Sequence, residues 1–339
     1  MESPLMLSSV VNPLSSLNKI IDELGKKALD DKKTKACLFN LVIDVEKKER
    51  LNYYQKVINE LIDYFPCRIF LIHFDAQLKT PDVKVSLKSP KSAPNLVCDF
   101  IEINLSPEQS PLLPSLIFAN MVTDLPFYYL PAEHGDHLSE FTYTMASIAK
   151  RVICDSTDVA DIDAFLENMA RLTKEGIDVA DLNWSRIESW REMIANNLNS
   201  DLLNKLQLVQ IIYNHNDHHL KQYPFQAILL KAFLSLRFLE NFKKPLKIEL
   251  VAKTESSIWP GAILEVNFSD NHQTKQVFLR NLENPQEAII HFESPSECHI
   301  PLYTQFTKTE SGQSLIKEFR HTGVSTDYML ILKNLKKYL

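Results

Sequence analysis

Two tryptophans and two arginines crowd into Asp181-Leu-Asn-Trp184-Ser-Arg186-Ile-Glu-Ser-Trp190-Arg191-Glu-Met-Ile194. An arginine offers a planar fork to carboxylate or phosphate, and a buried tryptophan needs an acceptor for its ring N–H. Two Trp/Arg pairs within eight residues can form an anion-binding or protein-binding surface. They can equally be a core tryptophan (Trp190), a domain-seam tryptophan (Trp184) and two ordinary ion pairs, Trp and Arg being common in both settings. Asp155 and Ser156 end a short apolar segment, Arg151-Val-Ile-Cys154. In an open α/β sheet the carboxyl ends of strands line the ligand crevice. The plainer use of these residues is for Ser156 or Asp158 to cap a helix over 159–173.

Other chemistry is thinner. His215-Asn-Asp217-His218-His219 resembles a metal site, but H-x-x-H-H without a distant Cys or Glu signature reads as a solvated loop. Glu133-His134-Gly135-Asp136-His137 could be an acid–base pair or a polar connection. No Ser/His/Asp or Cys/His set can be assembled, so no catalytic residue, metal or cofactor is assigned. Glycine is scarce: Gly25, Gly135, Gly176, Gly261, Gly312 and Gly323 are the only ones, and no two are close. Loops that cradle phosphate need glycines to bring backbone N–H groups against the ligand, so neither the dinucleotide fingerprint nor the P-loop can be written here. G-x-S-x-G is excluded in the same way. By its motifs the chain does not look like a dehydrogenase or a kinase.

These residues need elements to position them. The chain of 339 residues is long enough for two ordinary domains, and 45% hydrophobic with 24% charged residues is a soluble globular profile. A net charge of -6 gives no footprint for nucleic acid or an anionic membrane. No run approaches a membrane span of roughly 18 apolar residues, and Met1 to Leu7 has no secretory pattern. Five cysteines, Cys37, Cys67, Cys98, Cys154 and Cys298, are far apart and never C-x-x-C. That argues for a reducing cytoplasm and against a disulfide framework.

Periodicity predicts an amphipathic helix over 9–28, a buried strand over 36–44, a helix over 49–64 closed by Pro66, and a second buried strand over 67–74. Strand, helix and strand make a βαβ unit. A hairpin-like excursion spans 81–94. Leu96 to Leu105 alternates as an antiparallel or edge strand should, and further elements fall at 112–122 (helix), 127–130 (strand), 138–150 (helix) and 151–156 (strand). Ser185 and Glu188 have the form of a capping box for a helix over 185–198 with the apolar stripe Ile187, Trp190, Ile194 and Leu198. A strand at 206–213 and a helix at 223–242 precede four strands at 246–253, 262–268, 276–280 and 288–292, read as a meander. Helices at 313–319 and 327–338 follow. The fold class expected is α/β: an N-terminal α/β domain (1–177) with a mainly parallel or mixed sheet, and a C-terminal α/β domain (178–339) with a mostly antiparallel sheet.

With these residues placed, the chain resembles the glucose-6-phosphate dehydrogenase assembly protein family, OpcA. The resemblance rests on Asn40-Leu41-Val42, Phe65-Pro66-Cys67-Arg68, Val97-Cys98, Asp124-Leu125-Pro126 and Asp155-Ser156. Its most specific part is Asp181-Leu-x-Trp184-x-Arg186-x-x-x-Trp190-Arg191, and it covers residues 36–198. Phe65 stands where the family has His, and Phe127-Tyr128-Tyr129 where it tends to have a Trp pair. The resemblance implies a non-enzymatic, cytoplasmic partner that binds glucose-6-phosphate dehydrogenase and promotes its assembly and activity. Trp184, Arg186, Trp190 and Arg191 are then partner-binding or domain-seam candidates. Redox control, known for some members, has no close cysteine pair to support it here. The rival from another class is a sugar-phosphate sensor or enzyme with Arg68, Asp155, Ser156 and Arg186 in one crevice.

Overall fold

The computed structural model describes residues 6–7, 16–132, 136–215, 223–242, 246–270, 272–295, 299–306, 311–321, 323 and 325–339. Most of the histidine-rich stretch (residues 216–219), together with Glu133, His134, Gly135 and Cys298, lies outside them. No helix among the described residues is long and apolar enough to cross a membrane.

The chain runs through β1 (Met6–Leu7), α1 (Leu17–Asp30), β2 (Thr34–Lys35), β3 (Asn40–Val45), α2 (Lys48–Tyr64), β4 (Arg68–Phe74), β5 (Asp82–Lys88) and β6 (Leu96–Leu105). It continues with α3 (Leu113–Asn120), β7 (Phe127–Pro131), α4 (Glu140–Ile148), β8 (Arg151–Cys154), α5 (Ile162–Lys174) and β9 (Asp178–Asp181). Then come α6 (Leu182–Arg186), α7 (Glu188–Asn197), α8 (Ser200–Lys205), β10 (Leu208–Asn214), α9 (Phe225–Phe242) and β11 (Lys247–Lys253). The last elements are β12 (Ile263–Ser269), β13 (Lys275–Arg280), β14 (Glu287–Glu293), β15 (Leu302–Gln305), α10 (Ser311–Arg320) and α11 (Thr326–Asn334).

The first compact unit comprises residues 1–155, 161–181 and 311–324. Its sheet runs β1-β5-β6-β4-β3-β7-β8-β9, with β2 beside β6. From β6 to β9 every pairing is parallel. In chain order the six parallel strands read 3-2-1-4-5-6, the doubly wound arrangement whose switch point falls between its first and fourth strands, here β3 and β7. The apolar run Leu41-Val42-Ile43 is wholly buried, as a strand covered on both faces requires. Tyr54, Val57, Ile58 and Leu61 form the buried stripe of α2, each such side chain contributing about 1.5–3 kcal/mol through burial. Pro66 bars continuation of that helix. Helix α5 ends where Gly176, at φ +82°, adopts the left-handed turn, with the Ile177 N–H returning to the Leu172 carbonyl.

Two expectations need correction in this unit. β6 is antiparallel to β5, as one of the two alternatives had it, but it is not an edge strand, because β4 pairs parallel on its other side. Its alternation reflects one face more exposed than the other, not a missing neighbour. The helix after β8 begins at Ile162 and is capped by Asp161, whose carboxylate accepts from the Asp163 and Ala164 N–H groups. The cap position thus falls beyond both Ser156 and Asp158.

The second unit comprises residues 156–160, 182–310 and 325–339. Its sheet runs β11-β10-β12-β13-β14-β15. β10, α9 and β11 form a parallel βαβ unit, so the strand at 247–253 is not the first of a meander. The meander starts at β12 and proceeds antiparallel to β15. Hydrophobicity does not distinguish a parallel from an antiparallel neighbour, because the connections, not the strands, decide direction. The architecture is thus α/β, one mostly parallel sheet and one mostly antiparallel.

Candidate functional site

The signature stretch folds as two short helices instead of one. Ser185 lies within α6, Ile187 takes the cap position of α7 without a side-chain cap, and no capping box opens a helix at 185. The apolar stripe holds in part: Ile187, Trp190 and Ile194 are buried, whereas Leu198, just past the end of α7, is half-buried. Trp190 packs edge-on to Phe306 at 5.2 Å. Trp184 is only 5% exposed. Its indole N–H donates to Ser325 Oγ at 3.0 Å, and its ring meets Phe233 and Tyr328. Arg191 lies 3.6 Å above the Trp184 ring and donates to the Trp184 carbonyl, a cation–π stack of about 0.5–2 kcal/mol. Arg186 is buried and donates through Nη1 to Thr157 Oγ1 and Asn183 Oδ1, both at 2.9 Å. Asn183 also donates to Ser156 Oγ and accepts from Gln226. Arg186 and Ser156 therefore meet through Asn183 in the second unit. Of the four signature side chains, only Arg191 keeps partial exposure.

The other crevice candidates part company. Arg68 opens β4 and Asp155 follows the end of β8. The registers put Arg68 level with Asn40 and Phe127, at the amino edge of the parallel sheet. Asp155 lies at the carboxyl edge, about 16 Å further along the strands. Arg68 is also engaged: Nε and Nη2 grip Asp99 at 2.8 and 2.7 Å, and Nη1 donates to the Asn120 carbonyl. Lys35 adds a second cation to Asp99 at 2.7 Å. Arg68 and Asp155 do not share one crevice.

What does gather at the switch point was missed in the sequence. The β3–α2 turn is Glu46-Lys47, without glycine, and α2 starts with no side-chain cap. Above it Arg50 Nη2 donates to the Tyr54 hydroxyl (3.2 Å) and pairs with Asp155 (3.5 Å). Tyr54 in turn donates to the Ala132 carbonyl. Tyr129 donates to the buried Asp44 carboxylate at 3.1 Å. Burial, reinforced by that carboxylate, pushes the Tyr129 phenol well above its ordinary range. The edge where this fold receives a pyrophosphate is here bridged by the chain's own side chains. The charged run Lys47-Lys-Glu-Arg50 was the only available signal, and it reads as an ordinary helix surface.

The cysteines also come closer than their spacing suggests. Cys67, just before β4, lies level with Cys98 inside β6 when the Ile69–Phe100 register is continued, and Cys37 acts electrostatically on both. All three thiols are raised, chiefly by burial: Cys67 well up, Cys98 to about 12. Cys154 is likewise pushed well up by burial, with Asp181, Asp155 and Asp44 adding to it. Thiols held neutral in this way are poor nucleophiles. No group of His, Cys, Asp and Glu among the described residues could hold a metal ion.

Residues 177–329 match the family described as the C-terminal domain of a glucose-6-phosphate dehydrogenase subunit, a domain named for OpcA. A protein of Nostoc punctiforme named for OpcA and the OxPP cycle is 25% identical over 191 residues. That match takes in 54% of this chain and 40% of the relative, so the chain spans well under half of the relative's length. Both findings support the OpcA family. Among solved structures, the 3-ketoreductase KijD10 from Actinomadura kijaniata, in complex with TDP-benzene and NADP, superposes with a TM-score of 0.54 at 8% identity, covering 88% of this chain and 94% of that one. A dehydrogenase from Chromobacterium violaceum gives 0.52 at 11%, covering 89% and 94%. These likenesses show a shared fold and carry nothing about chemistry.

Proposed function

We propose that this chain, as a relative of OpcA, binds glucose-6-phosphate dehydrogenase and favours its active oligomer, without turnover of its own. The observation that carries the reading is the family match over 177–329, which names a subunit of that dehydrogenase. The switch point supports it: with Arg50, Tyr54 and Asp155 linked across the place where glycines would receive a dinucleotide, the fold keeps a dehydrogenase's frame without its phosphate cradle. The separation of Arg68 from Asp155 speaks against a single sugar-phosphate crevice. A partner that binds only the active oligomer shifts the enzyme toward it by linkage alone. The buried Trp184 and Trp190 act here by shaping the second unit, and Arg191, stacked on Trp184, is the one of the four signature side chains that keeps partial exposure.

The test combines co-purification of the two proteins, light scattering of the dehydrogenase and its NADP reduction rate with and without this chain. Co-elution with a larger oligomer and a higher rate is the expected result. A dehydrogenase that neither co-elutes nor changes its rate, or glucose-6-phosphate turnover by this chain alone, overturns it.

A further inference from the structure

Arg280, at the end of β13, is a buried cation with no carboxylate against it among the described residues. It is 7% exposed, and its one hydrogen bond runs from Nε to the Ile263 carbonyl. Burial lowers its pKa to about 10, with no acidic neighbour among the described residues to offset the loss of water. At neutral pH it stays charged. Among the described residues its terminal nitrogens have no hydrogen-bond partner. The other buried arginines have their terminal nitrogens engaged: Arg151 holds Asp178 and Arg186 holds Thr157 and Asn183. Aromatic rings flank the Arg280 guanidinium, Trp259 at 5.3 Å and Phe306 at 5.1 Å. Behind Phe306, Trp190 Nε1 is a second buried donor without a partner. The loop carrying Trp259 is held firmly: Asn214 donates to the carbonyls of Glu255, Ile258 and Trp259 and accepts from the Glu255 N–H.

A buried, unpaired guanidinium costs stability, because a desolvated charge lacks compensation. Stacking on two rings returns only part of that. A fork-shaped pair of free N–H edges beside a half-exposed indole is the form that oxyanion recognition takes. We propose that Arg280 anchors an oxyanion site in the second unit, taking the carboxylate or phosphate group of a small molecule whose body lies on the Trp259 ring. The site is independent of the assembly role proposed above.

Acrylamide quenching of tryptophan fluorescence reads the site in the unaltered chain. Trp259 is 41% exposed, whereas Trp184 and Trp190 are 5% and 0%, so a neutral quencher reports mainly on Trp259. Inorganic phosphate and benzoate are titrated at constant ionic strength set with chloride. Saturable loss of quenching by either probe is expected; phosphate alone points to a phosphate ligand, and benzoate alone to an aromatic carboxylate. Arg280→Lys keeps the charge without the fork and should weaken binding about tenfold, and Arg280→Met should abolish it without lowering the melting temperature. No saturable effect of either probe on the wild-type chain overturns the proposal, as does equal binding by folded Arg280→Lys and the wild type. A large drop in the melting temperature of Arg280→Met also overturns it, since Arg280 would then serve the fold.

Discussion

Replacing Arg151 with methionine should release the segment 311–324 from the first unit before its sheet melts. Arg151 opens β8 and is 4% exposed. All five of its donors are engaged. Nε and Nη2 hold Asp178 Oδ2 at 2.8 and 2.7 Å, Nη1 reaches the Glu318 and His321 carbonyls at 2.7 and 3.1 Å, and Nη2 reaches the Gly323 carbonyl at 2.8 Å. Those carbonyls lie at and just beyond the end of α10, where a helix leaves acceptors unsatisfied. One guanidinium therefore replaces the missing donors and ties the segment to β8 and β9. Methionine fills similar volume but donates nothing. Breaking a buried pair by removing one partner costs about 3–5 kcal/mol, and the stranded carbonyls recover water only if the segment lifts away. The opening equilibrium of 311–324 should rise by roughly two to three and a half orders of magnitude. Amide hydrogen exchange measures it: protection of the α10 amides should fall by that factor while β3 and β4 keep theirs. Arg151→Lys, with a single ammonium for acceptors on two sides, should fall between. Unchanged α10 protection in Arg151→Met would refute the reasoning, and so would equal loss across the whole sheet, since the segment would then not open by itself.

Trp184→Ala should destabilise the second unit by about 3–5 kcal/mol in urea unfolding, because Phe233, Tyr328 and Arg191 lose the ring they pack on. Trp184→Phe should lose only about 1 kcal/mol, chiefly the bond to Ser325; equal losses would mean the ring packing is unimportant. The thiols set an alkaline limit. Cys98 holds its proton to about 12 in the folded chain, whereas an unfolded thiol releases it near about 8.5. Between those values the unfolded state binds fewer protons, so stability should fall with rising pH by about 1.4 kcal/mol per unit for each such thiol. Below that window the contribution is fully present. Urea midpoints from about pH 8 to 10.5 test it, and a flat profile rules it out. At about pH 8 the native chain should resist thiol labelling at Cys67, Cys98 and Cys154, which react once it is unfolded.

Much of the layout was legible because it is written in local terms. The apolar run Leu41 to Ile43, the stripe Tyr54, Val57, Ile58 and Leu61, and the break at Pro66 each act within one element, so periodicity found β3, α2 and β4 within a few residues. The shortage of glycine was equally local and excluded the glycine-rich phosphate-binding fingerprints without any structure. The resemblance in Asp181 to Arg191 was also legible by eye, and the family match agrees with it. Tertiary structure alone decided which distant residues meet. Pairing direction depends on connections, so β11 beside β10 and β6 between β4 and β5 could not be read from their own side chains. Burial of a charged or aromatic group depends on neighbours far along the chain. Trp184 found Ser325 and Arg151 found Gly323, while Arg68 was claimed by Asp99 and Arg280 was left with no acid among the described residues. Side-chain type announces what a residue can do, but only packing brings together, or withholds, the partner with which it does it.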